Sequence, residues 1–438
     1  MKYKLAILIL HLVLSTGLCQ VITVEAAKQD LALLYNSLVN RHPGVYRHTT
    51  QAELKTRYDE AVAMANRPLA FWEFYRIASR LTAAVKCGHT RLRAPENERN
   101  NFIANGKFFP LPVLFADTIM YVRCLDQSVR QLISINGRKA EAIMQMIFSN
   151  ISEDGNSVKS KYDVAGESFG LLYARYVELS PGVFNIEFPS TSTYMRQSIA
   201  PASWDQLQSL SFYPVEEIKP ASFKMIGDTG YLFITTFDSG SYASAGMNYN
   251  DLLEATFVEL KKNKIRKLIV DIRGNGGGDD QYGANLCSYL TTKPFSYFKT
   301  VKQRSGNGFS PVNHPCLSVQ QPARSAFTGK ICLLIDGRTF STAADVASIT
   351  SANHFARVIG RETGGGYDGN TSGRSESVTL ISSGISLTIP MWYYENAVPP
   401  AKVLHRGVIP DEVINRTRES IASHKDLELE RALKMLLE

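Results

Sequence analysis

The chain has 438 residues, 44% of them hydrophobic and 20% charged, with 18 Pro and 30 Gly. That composition excludes a disordered, collagenous or coiled-coil chain, and at about 150 residues per domain it allows two or three domains. The formal charge is +7, but the basic residues form no run of five or more, so the clustered footprint of a nucleic-acid binder is excluded.

The first segment reads as a signal peptide over 1–19. Lys2 and Lys4 give a positive start, and 5–14 is an apolar run too short to span a bilayer. Small residues then lead to cleavage after Cys19. A lipoprotein acylated at Cys19 needs a small residue before the cysteine, and Leu18 stands there. Plain export is therefore expected, secreted or periplasmic. No later apolar stretch approaches the roughly 18 residues of a membrane helix, so no integral membrane anchor is expected. Cys87, Cys124, Cys287, Cys316 and Cys332 follow no CxxC metal pattern and read as buried single thiols.

Residues 20–97 read as a helical domain. Leu31, Leu34 and Leu38 recur at helical spacing, and 51–66 and 69–86 continue the pattern. His42-Pro43-Gly44 breaks the first helix, and Gly88 reads as the stop of the third, in Lys86-Cys87-Gly88-His89-Thr90. Residues 98–215 read as a small β-rich module with a loop-rich continuation. Short apolar runs (111–115, 120–124) precede 132–135, which enters an Asn136-Gly137 turn before a helical 140–147. From 216 to 438 strands alternate with helices. Strands are expected at 230–237, 267–272, 331–335 and 356–360, helices at 249–263, near 280–291 and from about Ser341, and a hairpin around Ser382-Ser383-Gly384. That alternation predicts a mainly parallel sheet covered on both faces, within a multidomain α/β chain.

Two strand-to-turn junctions carry chemistry. Asp271-Ile272-Arg273-Gly274-Asn275-Gly276-Gly277-Gly278 leaves backbone N–H groups unobstructed, able to cradle an anion or a developing oxyanion. It has neither phosphate-loop spacing, which argues against a nucleotide site. Asp336-Gly337-Arg338-Thr339-Phe340-Ser341-Thr342 places a serine at the start of a small-residue helix, where it serves either as a nucleophile or as an N-cap.

These two motifs, followed by Ala356-Arg357-Val358-Ile359-Gly360-Arg361-Glu362-Thr363-Gly364-Gly365-Gly366 and Arg406-Gly407-Val408-Ile409-Pro410-Asp411-Glu412-Val413, resemble the tail-specific, or C-terminal processing, serine peptidases of family S41. The resemblance covers about 220–415. It implies a ClpP/crotonase-like catalytic domain, a PDZ-like module around 108–147 and the family's N-terminal helical domain. It maps the nucleophile onto Ser341 and the oxyanion hole onto N–H groups of Gly276 or Gly277 and of Thr342.

One branch of the family uses a lysine base about 25 residues after the serine. Here that stretch is Thr363-Gly364-Gly365-Gly366-Tyr367, without lysine. The resemblance is therefore to the tricorn-core-like branch, whose histidine maps onto His89, with His405 as a second candidate. That branch also places a carboxylate three residues before its closing Gly-Val, where this chain has Leu404. Glu362 is a possible third member. The expected protein is a secreted serine endopeptidase acting on protein or peptide substrates, with cleavage near C-termini as the finer expectation, and with no cofactor and no metal. The rival, prompted by Leu404, is a non-catalytic binder of lipid, retinoid-like or peptide ligands on the same scaffold.

Overall fold

A computed structural model describes residues 21–190, 194–210, 219–306 and 308–438. The expected leader with Cys19 lies outside them. Among the described residues no helix is long and apolar enough to cross a membrane, and all five cysteines are buried free thiols.

The first helix, Val24–Arg41, starts where Thr23 Oγ1 accepts the Ala26 N–H at 3.2 Å and buries Leu31, Leu34 and Leu38 on one face. The second, Gln51–Met64, starts at a capping box of Thr50 and Glu53. The third, Phe71–Ala83, stops earlier than its apolar spacing suggests, and Lys86 takes a left-handed φ of 54°. Gly88 is not the stop. A Cβ there would lie 2.5 Å from Phe340 Cζ, so the glycine serves a close contact instead.

The middle of the chain holds the expected short strands but is helical where a loop-rich continuation is expected. A three-stranded meander (Val113–Ala116, Ile119–Arg123, Val129–Gln131) is followed by the expected tight turn, with Asn136 at φ 48° and Gly137 at φ 76°. Helices Ala140–Phe148, Val158–Glu167 and Phe169–Tyr176 follow, and strands Phe184–Pro189 and Tyr194–Ile199 then complete a four-stranded sheet with the two strands of that turn. Phe169, Leu172, Tyr173 and Tyr176 recur at helical spacing and are all buried. The expected break at 97/98 is not a break in packing. One apolar core runs from the N-terminal helices through this segment to Leu380, Ile385, Leu387 and Ile389, with Trp72 and Phe102 ring centroids 4.7 Å apart across the boundary.

The remaining portion holds a six-stranded sheet in the order Ala221–Ile226, Thr229–Ile234, Lys267–Asp271, Lys330–Ile335, Arg357–Gly360, Glu412–Val413. Only the first pair is antiparallel. Helices Tyr249–Lys262, Asp280–Leu290 and Thr342–Ala352 bury apolar side chains in the core on one face, and Leu427–Leu437 packs on the other. The strands are apolar on both sides, as parallel strands covered twice must be. A second sheet contains the long hairpin of Thr371–Thr379 and Ser386–Asn396, and Arg91–Arg93 joins it by pairing with the latter strand. That pairing fixes the segment just after His89 onto the second sheet.

Candidate active site

Three loops leave the carboxyl ends of adjacent parallel strands, after Asp271, Ile335 and Gly360, where open α/β sheets bring their loops together. Side chains lace them to each other. Asp336 Oδ1 accepts N–H groups from Gly274 at 2.9 Å, Arg338 at 3.0 Å and Thr339 at 3.1 Å. Asn275 O accepts the Phe340 N–H at 3.0 Å, and Thr339 Oγ1 donates to Ile272 O at 3.1 Å.

Ser341 stands at the tip of the second loop with φ 53° and ψ −132°, a conformation that strains any residue with a side chain. Its neighbours hold it there by approaching too closely for a side chain of their own. A Cβ on Gly277 would fall 2.6 Å from Ser341 Cβ, and one on Gly365 would fall 3.0 Å from Ser341 N. The serine precedes helix Thr342–Ala352 but makes no capping bond. Its Oγ lies instead 3.1 Å from His89 Nε2. The His89 ring stacks on Phe340 with centroids 4.7 Å apart. Burial, then the charge of Arg91, then His42, pulls this imidazole down to about 3. At neutral pH the ring is uncharged and able to accept a proton.

The N–H groups separate into free and used. Among the described residues, those of Gly276 and Thr342 have no protein acceptor, whereas Gly277 donates to Asn275 Oδ1 at 2.8 Å. Thr342 Oγ1 donates to Gly278 O at 2.9 Å and so ties the helix start to the glycine loop.

The other candidates lie elsewhere. Glu362 pairs with Arg406 and accepts the Gly407 N–H at 3.0 Å, so it clamps the third motif to the fourth. Leu404 is 68% exposed. His405, the second candidate histidine, lies with Nδ1 3.0 Å from His48 Nδ1. Its φ of 59° and the bond from Asn156 N–H to its carbonyl at 2.7 Å make it part of a packed loop junction.

Cys87, His89 and Asp154 each bring a donor atom within 4.8 Å of the others, the one such convergence of three among the described residues. Burial pushes the Cys87 thiol up to about 12, so it stays protonated and is a poor metal donor. Beside the serine loop a cavity of about 400 Å³ is bordered by Gly276, Phe340, Arg91, Glu153 and Arg175. Asn275, Asp336, Phe340 and Asp154 are site residues that the sequence reading does not single out. The first three stand inside the two motifs, so polar or aromatic type within a glycine-rich turn was a usable signal. For Asp154 no local signal existed.

Residues 228–414 match the family model described as Peptidase family S41. No curated protein sequence matches the chain. Among solved structures, mature CPAF superposes with a TM-score of 0.69 at 14% identity, covering 94% of this chain and 96% of its own. Mature CPAF complexed with lactacystin gives 0.70 at 14% identity, with 94% and 98% covered. A protein of Parabacteroides merdae ATCC 43184 gives 0.51 at 16% identity, with 95% and 97% covered. At such identities these likenesses establish the shared fold. The matched segment contains all four motifs, so this portion of the chain is similar to peptidase family S41, a family of serine-type peptidases.

Proposed function

We propose that the protein hydrolyses peptide bonds with Ser341 as nucleophile and His89 as general base. The observation that carries this reading is the 3.1 Å contact between Ser341 Oγ and His89 Nε2, in place of a capping bond. As Oγ attacks the scissile carbonyl, its proton passes to Nε2; the same proton then protonates the leaving amine. The carbonyl oxygen becomes an oxyanion that receives the free N–H groups of Gly276 and Thr342, the second at a helix start where partial positive charge gathers. Water repeats the attack on the acyl-enzyme and releases the second product.

The substrate is a protein or peptide. Recognition of a free C-terminal carboxylate, and export after cleavage behind Cys19, are the finer parts of the proposal. The first rests on the resemblance of 108–147 to a PDZ-like module, and the second on the composition of 1–19. Amidation of a substrate's C-terminus is expected to slow cleavage severalfold; an unchanged rate removes that module from recognition.

The deciding experiment is hydrolysis of a peptide library by the purified protein and by its Ser341→Ala variant, with fluorophosphonate labelling in parallel. Turnover and labelling in the parent alone are expected. Equal turnover by both overturns the nucleophile. Absence of labelling together with a co-purifying lipid supports the binding-protein reading instead.

A further inference from the structure

The His89 ring has a second nitrogen. Nε2 faces Ser341, while Nδ1 is buried and has no hydrogen-bond partner among the described residues. An imidazole whose far nitrogen is unheld has no fixed tautomer, and only the form with its proton on Nδ1 accepts from a serine at Nε2. Beside it, in the segment between helices Ala140–Phe148 and Val158–Glu167, Asp154 is 2% exposed. Its Oδ1 accepts the N–H of Gly88, the residue before His89, at 2.8 Å, and its Oδ2 is a second unpartnered buried atom. One Asp154 carboxylate oxygen and one His89 ring nitrogen fall within the 4.8 Å convergence already described.

We propose that Asp154 is the positioning residue that accepts the Nδ1–H of His89, so that the third member of the site comes from the middle of the chain and not from the closing motif. The proposal rests on the Ser341–His89 reading. A buried polar atom without a partner is costly, and pairing these two removes both costs. The remaining distance is closed by a small side-chain rotation or bridged by one water. Burial pushes the Asp154 carboxyl up to about 6, against the opposing pull of the Gly88 N–H, the Arg47 charge and the Gly366 N–H, so it is still ionised at neutral pH. When Ser341 passes its proton to Nε2, the carboxylate steadies the imidazolium and does not take a proton itself. The usual position of the carboxylate is empty of one, because Leu404 points outward and Glu362 is held by Arg406.

The test is Asp154→Asn. The variant keeps an oxygen for the Gly88 N–H and turns its amide N–H toward Nδ1, which forces the ring proton onto Nε2. Expected are a fall in kcat of about a hundredfold or more at a KM within twofold, an unchanged melting temperature, and a switch of the His89 tautomer in ¹⁵N NMR of the ring from Nδ1–H to Nε2–H. The tautomer decides. A fall in kcat without the switch, or a kcat within threefold of the parent, overturns the proposal. If turnover survives Ser341→Ala, the nucleophile reading has failed, and the NMR measurement still settles whether Asp154 holds the ring.

Discussion

In the proposed mechanism His89 is the general base, and its surroundings set the pH at which it would work. Burial first, then Arg91 and His42, disfavour the imidazolium and pull the ring down to about 3. Activity needs the neutral ring, so it is present above the folded-state pKa and lost as pH falls through it. The acid limb of kcat/KM is therefore expected below the ordinary histidine value of about 6.5; a limb at or above that value contradicts the burial seen here. His89→Ala is expected to lower kcat by on the order of a hundredfold or more. His405→Ala is expected to leave kcat within about threefold, because His405 contacts His48. Steady-state kinetics on the two variants tests both, and the reverse ranking would mean that the wrong histidine has been assigned.

At the scale of elements, the serine loop is held by glycines of its neighbours, and one added methyl group tests this. In Gly365→Ala the new methyl would lie 2.5 Å from Ala344 Cβ and 3.0 Å from Ser341 N. Overpacking of this kind costs about 1–3 kcal/mol, and a nucleophile displaced by about 1 Å loses on the order of a hundredfold in rate. A melting curve and a fluorophosphonate labelling rate check the two effects; normal labelling would show that the loop tolerates the shift. Glu362 acts between elements in a different way. Its pair with Arg406 joins the third motif to the fourth. Glu362→Gln is expected to lower the melting temperature by a few degrees, since bonds to charged groups are worth about 1.5–3 kcal/mol, and to leave kcat within about threefold. A hundredfold loss of kcat at constant KM would instead put Glu362 in contact with the chemistry.

For the whole molecule, buried titratable groups make stability depend on pH in opposing directions. His42 and His48 are pulled down to about 3, mainly by burial, so the unfolded chain takes up their protons first and stability falls as pH drops below about 6.5. Glu153 behaves oppositely. Burial, helped by the charge of Asp154, pushes its carboxyl up to about 8, so its contribution is complete below the unfolded value of about 4.5 and is lost as pH rises toward 8. In Glu153→Gln that loss disappears. The variant is expected to gain stability relative to the parent by about 1.4 kcal/mol per pH unit across this range, read from urea melts at several pH values. A difference that does not change with pH would mean that Glu153 is ionised in the folded protein.

The sequence by itself determined the parts that depend on local rules. The alternation of apolar strands and amphipathic helices from 216 onward predicted the parallel sheet, because strands covered on both faces must be apolar throughout. The glycine loop after Asp271 and the serine before a helix were legible because each needs a residue type that few other structures demand. The helices of 158–176 were equally local in origin, and Phe169, Leu172, Tyr173 and Tyr176 carry their period; polar residues around them obscured it. Tertiary structure alone decided the rest. Whether Ser341 caps its helix or meets a base depends on a histidine 252 positions away, delivered by the pairing of Arg91–Arg93 with Ser386–Asn396. Which glycine N–H stays free depends on the rotamer of Asn275. Asp154 reaches the Gly88 N–H beside His89 only because the helical and middle segments share one core. Such contacts join residues far apart in the chain, and no local period or propensity records where a folded chain will bring them together.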